Sequence, residues 1–373
     1  MLPLNNELFV WVLAPFVKTN DENLNYYYDY TQSIEEFTRA FKELKLKWKW
    51  QEVTNDNYKS IIDIIINSSS PENIVVINLC DGDEINGAPG INIIRHLKKS
   101  GLCFTGSDEF FYRTTTSKII MKQVFDSRKI ATPPWKIITD DPSDSKDLFK
   151  TLGSPVIIKP AISGGSLGVG IHSVVKNPID LLAQYQKLQQ GYHGWNLADG
   201  GVFAEKFIDG PEFTTLIVGN GANVRECKIY MPVERAFNES LPSHEKFLSF
   251  DRLWEMYEEE TPISNNEDFY SYRTPDSFLI KNICKLSFDA YKAVRGRGYG
   301  RIDIRMDAST GKMYVLEVNA QCGLSEDENF TSIGGILRLS GNSFGSLIAM
   351  IIRNALTHKH AAKLKKAKQL ELI

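Results

Sequence analysis

Two short segments carry the residues best suited to chemistry, Arg301-Ile302-Asp303-Ile304-Arg305-Met306 and Val315-Leu316-Glu317-Val318-Asn319. Alternate side chains of a strand share a face, so Arg301, Asp303 and Arg305 project together, as do Glu317 and Asn319. Between them Asp307-Ala308-Ser309-Thr310-Gly311-Lys312 is a turn signal, and the two segments are expected to pair as a hairpin. Ile302, Ile304, Leu316 and Val318 then face a core. The polar face gathers carboxylates, an amide and guanidinium groups. Hard oxygen donors of this kind suit Mg2+ together with phosphate oxygens. The same residues would also serve as a solvated face with an Asp–Arg surface pair, worth on the order of 0–1 kcal/mol.

A second cluster is Ser163-Gly164-Gly165-Ser166-Leu167-Gly168-Val169-Gly170, with four glycines and two serines in eight positions. Such a backbone can fold over phosphates and offer N–H donors, or simply turn the chain. Neither G-x-x-x-x-G-K-[ST] nor G-x-G-x-x-G is present. Lys159, just before the loop, is placed to meet a phosphate as a point charge, or to snorkel from a strand end. Farther on, Glu205-Lys206-Phe207-Ile208 and Glu212 combine an apolar slot with carboxylates, chemistry that would suit adenosine or a charged hinge between domains.

These residues must be positioned by strands and helices, and the first third of the chain alternates the two. Residues 8–14 and 73–79 are apolar runs of strand length. Residues 31–46 carry Ile34, Phe37, Phe41 and Leu44 at helical spacing, and 91–97 follow Pro89-Gly90 as a helix. Such alternation predicts a parallel sheet covered by helices, with ligands beyond the carboxyl ends of the strands. Asp81 and Asp83 fall at such an end, where Asp-Gly could equally be a plain turn. Downstream a helix is expected over 114–125, carrying Lys118. Strands are expected over 135–139, 155–160 and 213–218, and a helix over 276–294. Residues 236–275 read as a long polar loop, a length that is usually functional or disordered.

At 373 residues with 42% apolar and 24% charged residues, the chain has the composition of a globular protein of two or three domains. A net charge of −3 gives no reason to expect nucleic acid or an anionic membrane as partner. Five scattered cysteines without C-x-x-C argue for reduced thiols, and with no signal-like leader a cytoplasmic location is expected. The lysine-rich end, 359–368, reads as a solvated helix end or tail.

The order Lys118, Lys159 with its glycine loop, Glu205-Lys206-x-Ile208-x-Gly210-x-Glu212, Arg301-x-Asp303 and Glu317-x-Asn319 resembles the ATP-grasp superfamily. Within it the chain looks like the D-alanine–D-alanine ligase family. Gly101-Leu102-Cys103-Phe104-Thr105-Gly106-Ser107 followed by Ser117-Lys118 is similar to that family's G-x-x-x-T-G-S…K segment, and the likeness runs roughly over 78–352. It implies an α/β fold, α+β in parts: an N-terminal parallel-sheet domain (pre-ATP-grasp, 1–113), then a two-lobed ATP-grasp fold (114–206 and 207–358) and a basic tail (359–373).

The resemblance also implies roles. Lys118 and Lys159 would hold ATP phosphates, and Gly165 and Ser166 would cover them, Ser166 within the catalytic set. Glu205, Lys206, Ile208 and Glu212 would line the adenosine. Asp303, Glu317 and Asn319 would hold two Mg2+ ions, with Mn2+ an alternative, and Arg301 would face the transferred phosphoryl group and a later oxyanion. A carboxylate would attack the γ-phosphate to give an acyl phosphate, and an amine would then displace phosphate.

The amino-acid side departs from the family pattern. The family's G-G-x-S-x-E has no counterpart in Pro15-Phe16-Val17-Lys18-Thr19-Asn20. Its H-G-x-x-G-E-D-G is replaced by 78–84, which include Asp81, and the usual lid Lys-Tyr has its nearest stretch at Phe250-Asp251-Arg252-Leu253-Trp254. After Asn319 come Gly323 and the acidic triplet Glu326-Asp327-Glu328, with Glu328 near the position of a carboxylate-binding serine. An acidic pocket would repel a carboxylate ligand. The expectation is therefore an ATP- and Mg-dependent ligase joining an amino acid to an amine-bearing small molecule, with Asp81, Gly323 and Glu328 on the substrate side. D-alanine–D-alanine ligase itself and a non-catalytic ATP-binding protein are the alternatives. Its partners would be a small-molecule carboxylate and amine, with no nucleic acid or membrane; a homodimer is an analogy with the family.

Overall fold

Strand β1 (Phe9–Pro15) is buried over Val10–Ala14 because it is covered on both faces. Val10 and Val12 pack with Phe37 and Phe41 of helix Thr31–Leu44, while Trp11 and Leu13 pack with Ile62, Ile65 and Ile93 of helices Tyr58–Ser68 and Ile91–Ser100. β2 (Lys47–Val53), β3 (Ile74–Asn78) and β4 (Cys103–Phe104) complete a parallel sheet of order β2-β1-β3-β4. The structure, a computed structural model, describes all residues except 1–3, 5–6, 19–27, 84, 140–141, 192–193, 254–259, 265–266, 330 and 371–373.

A second, antiparallel sheet has the order β5-β8-β6-β7, from Trp135–Ile137 (β5), Val156–Pro160 (β6), Val174–Val175 (β7) and Val202–Lys206 (β8). The third sheet is also antiparallel. Its order is β12-β11-β9-β13-β14, with β10 (Lys228–Ile229) on β9 (Glu212–Asn220). β11 is Val233–Phe237, β12 Tyr270–Arg273, β13 Arg297–Met306 and β14 Met313–Ala320. Helix Ser277–Ala293 seals its inner face, packing Ile283, Ala290 and Tyr291 against Ile302, Ile304 and Val318. The C-terminal helix Phe344–Leu370 ties the first sheet to the third by packing Leu347, Ile348 and Ile351 with Phe37 and Phe41. The basic stretch forms its last turns. A parallel N-terminal sheet followed by two antiparallel ones is the expected mixed α/β architecture. No single described helix is long and apolar enough to cross a membrane.

Three local features differ from the sequence expectation. The helix expected over 114–125 is two helices, Glu109–Thr116 and Lys118–Arg128, because Ser117 is extended and its side chain caps the second by accepting from the Ile120 N–H. Leu316 does not join the core. The ladder shifts register between Asp303 and Ile304, a β-bulge that leaves Leu316 unpaired and turns it toward the cleft. The long loop 236–275 is interrupted by β12, by the short helix Phe250–Leu253 and by a buried Arg252–Glu245 ion pair at 3.0 Å; Trp254 lies outside the described residues.

Candidate active site

The β13–β14 hairpin sets Arg301 opposite Asn319 and Asp303 opposite Glu317. Asn319 Nδ2 donates to Glu317 Oε1 at 3.0 Å and to Asp303 Oδ2 at 3.2 Å, so the three polar groups meet on one face. Arg301 donates to both Asp303 oxygens, its closest contact being Nη2 to Oδ2 at 2.9 Å, and Thr214 of β9 donates to Asp303 Oδ1 at 2.7 Å. Burial pushes Asp303 above the ordinary carboxylate range, with Arg301 opposing and Glu317 adding to the rise. Burial also raises Glu317, but Lys118 and Arg301 outweigh it and hold the group well below its ordinary value. Two carboxylates and an amide within one short hairpin are a hard-oxygen set that fits Mg2+.

Lys118 reaches this face because the break at Ser117 starts a new helix there. Its N–H donates to Ala161 O at 2.8 Å, and its Nζ lies 3.0 Å from Ser163 O and 3.4 Å from Glu317 Oε2. One side chain thus joins the glycine loop to the hairpin. Gly165 (φ 55°), Ser166 (φ 62°) and Gly168 (φ 75°) are left-handed, which makes Ser166 a non-glycine residue held in a conformation L side chains avoid. The loop is tied to the Phe250–Leu253 helix by the Phe250 N–H donating to Val169 O at 2.8 Å.

A cleft of about 270 Å³ runs beneath this loop. Its walls include Lys118, Lys159, Ser166, Lys206, Ile208 and Asp303. Glu205 and Glu212 also line it, with their carboxylates already engaged. Glu205 is 2.7 Å from Lys159 Nζ and 2.5 Å from Lys122 Nζ, while Glu212 pairs with Arg235 and lies 3.6 Å from Arg305. Burial raises Glu205, but Lys122 and Lys159 overcome it and keep the group charged. Phe207 and Phe247 meet edge-on at 6.2 Å beside Ile208, forming an apolar wall.

A second cavity, of about 310 Å³, opens beside the first. Asp81, Asp83, Tyr28, Trp195, Gln321 and Gly323 line it. Lys118, Ser163, Gly164, Gly165, Arg301 and Asn319 line both spaces, so cleft and cavity adjoin at the glycine loop and hairpin. Asp81 lines the cavity with its side chain open to solvent, and the surrounding protein raises its carboxyl above the ordinary aspartate range.

The acidic triplet is not brought to either space. Glu328 pairs with Arg338 at 2.7 Å, Glu326 with Arg39 at 2.6 Å, and Asp327 accepts from Gln32 at 2.9 Å. None of the three lines the cleft or the cavity. The triplet therefore does not form an acidic wall in either space; among the described residues the acidic groups in the cavity wall are Asp81 and Asp83.

Sequence reasoning missed Lys122, Arg235, Phe247 and Gln321. Lys122 follows Lys118 by one helical turn, a spacing that places both toward the same side. Arg235 and Gln321 carry no such local signal.

Comparison with known proteins places this geometry in a family. A family model described as "D-ala D-ala ligase C-terminus" matches residues 124–353. A D-alanine–D-alanine ligase of Polynucleobacter asymbioticus is 28% identical over 265 residues, covering 70% of this chain and 68% of the relative. A ligase of the same description from Acinetobacter baumannii is 26% identical over 316 residues, 82% of this chain and 92% of that one. Among solved structures, the D-alanine–D-alanine ligase of Bacillus anthracis complexed with ATP superposes with a TM-score of 0.64 at 18% identity, covering 95% of this chain and 99% of that one.

Proposed function

The chain belongs to the D-alanine–D-alanine ligase family, and from that premise we propose that it uses ATP to join the carboxylate of one D-alanine to the amine of a second. The observation that carries this reading is the shared wall of the two spaces. Lys118, Gly164, Gly165, Arg301 and Asn319 border a cleft suited to a nucleotide and a cavity suited to an amino acid. A phosphoryl group lying at that wall is within reach of both.

The chain's residues support each step. Lys159 and Lys118 offer point charges to phosphate oxygens, and the loop at Gly165 and Ser166 closes over them. Phe207, Ile208 and Phe247 supply an apolar wall for a base. The substrate carboxylate attacks the γ-phosphorus and ADP leaves; the amine then attacks the acyl carbon and phosphate leaves. Arg301 faces both charge-bearing centres, first the phosphoryl oxygens and then the tetrahedral oxyanion, where a fixed donor is worth roughly 3–4 kcal/mol. Asp303, Glu317 and Asn319 would hold the magnesium ions, whose contribution is to neutralise phosphate oxygens. Loop closure excludes water that would hydrolyse the acyl phosphate.

The expectation of a product other than D-alanyl-D-alanine rested on four departures from the family's amino-acid motifs, one of them the acidic triplet. Glu326, Asp327 and Glu328 pair away from the cavity, which removes the acidic triplet from the case for another substrate, and similarity to the family favours D-alanine. Phosphate release from ATP and Mg2+ measured against a panel of D- and L-amino acids tests the proposal. D-alanine should stimulate release and yield dipeptide; stimulation only by other amino acids would overturn it.

A further inference from the structure

An amino acid whose carboxylate is to be phosphorylated enters as a zwitterion. Its carboxylate belongs at the shared wall, near Lys118 and Arg301. Its ammonium, once desolvated, needs an anionic partner or its burial is strongly unfavourable. Among the described residues the cavity wall has two anionic side chains, Asp81 and Asp83, and neither lines the nucleotide cleft. Asp83 is engaged, accepting from the Asn86 N–H at 2.8 Å and from Asn86 Nδ2 at 3.0 Å. Asp81 accepts from its own backbone and makes no side-chain hydrogen bond or ion pair among the described residues.

Asp81 is also held from both sides. Gln321 Nε2 donates to Cys80 O at 2.8 Å, and Tyr112 OH donates to Gly82 O at 2.6 Å. A Cβ on Gly82 would lie 2.4 Å from Ala88 Cβ, so the loop packs against Ala88 too closely to carry a side chain there. Gln321 is 1% exposed and left-handed, with φ 53°. Its Oε1 accepts from Ser107 Oγ at 2.6 Å. It sits two residues beyond Asn319, so one buried amide spans the Asp81 loop, the Ser107 loop and the end of the hairpin.

We propose that Asp81 receives the ammonium of the amino acid whose carboxylate is activated, and that Gln321 is the positioning residue that holds Asp81 at its distance from the hairpin. The assignment rests on the ligase reading above. The cation Asp81 accepts is either the α-ammonium or a side-chain ammonium; both present the same chemistry.

The test is ATP-dependent activation of a single amino acid trapped by hydroxylamine. Hydroxylamine displaces phosphate from the acyl phosphate to give a hydroxamate, so no acceptor amino acid is needed. D-alanine, D-lactate and D-2,3-diaminopropionate are compared on the full chain. Wild-type preference for D-alanine over D-lactate, erased in Asp81→Asn, supports the α-ammonium. Preference for the diamino acid over D-alanine, erased in the same variant, supports a side-chain ammonium. Asp81→Asn should raise the amino-acid KM at least about tenfold, and Asp81→Glu should recover part of it. Gln321→Ala should raise that KM with little change in kcat, whereas a merely structural residue would lower the active fraction and leave KM alone. If the wild type forms hydroxamate and Asp81→Asn matches it in KM and in preference, the Asp81 assignment is overturned while the ligase reading stands. If the wild type activates no amino acid, both fall.

Discussion

Lys122 Nζ lies 2.5 Å from Glu205 Oε2, and neither side chain is more than 2% exposed. Lys122 also donates to Thr132 Oγ1 at 2.7 Å, and Glu205 reaches Lys159 with its other oxygen. A buried pair of this kind is costly to break, because removing one partner strands the other. Lys122→Met should destabilise the fold by about 3 kcal/mol, read as a lower melting temperature. Combined with Glu205→Gln the loss should be smaller than the sum of the two single losses. Strict additivity would mean that the two groups do not act as a pair.

Glu317→Ala and Asn319→Ala remove polar groups from the hairpin face without opening the core, where Val315 and Val318 remain. ADP production should fall at least about a hundredfold while the melting temperature changes little. Near-normal turnover in either variant would remove it from the catalytic set.

Lys159→Ala should weaken ATP binding about tenfold by calorimetry. The side chain is a point charge at the cleft, and its ion-pair partner among the described residues is Glu205. Unchanged affinity would show that Lys159 serves Glu205 and not the nucleotide.

Glu328→Ala should leave the amino-acid KM within about twofold and cost at most about 1 kcal/mol, since the pair with Arg338 is partly exposed. A marked KM change would restore the acidic triplet to the substrate pocket.

The amino-acid KM should rise as pH falls through the acidic range, beginning above the ordinary aspartate range, because Asp81 is raised by the surrounding protein and loses its charge on protonation. Among the described residues, Asp83, Lys118 and Arg301 line the same cavity, and Tyr28, Cys80, Tyr299 and Cys322 interact electrostatically with Asp81. Burial pushes these last four upward, so they stay neutral across this range. Asp81→Asn should flatten the profile; an identical profile in the variant would place the titration elsewhere.

Period-two alternation made the polar hairpin legible from the chain alone, and continuous apolar runs did the same for the strands 8–14 and 73–79. Both depend on local pattern and burial. The break at Ser117 was hidden because the flanking residues keep helical spacing on both sides. The bulge that expels Leu316 depends on the partner strand, which periodicity does not see. Glu326–Glu328 misled for a different reason: a charged loop has no built-in direction, and the partners that turn it outward, Arg39, Gln32 and Arg338, are remote from it or unmarked in the sequence. Gln321 was silent because its partners lie some 210 to 240 positions away.

The proposed nucleotide cleft and amino-acid cavity have Lys118, Gly165, Arg301 and Asn319 in common. Occupants of the two chambers would draw on the same cations, and whatever factor one imposes on the affinity of the other is returned in equal measure. An inhibitor long enough to straddle that waist gains from tethering, since docking one half presents the second at high effective concentration.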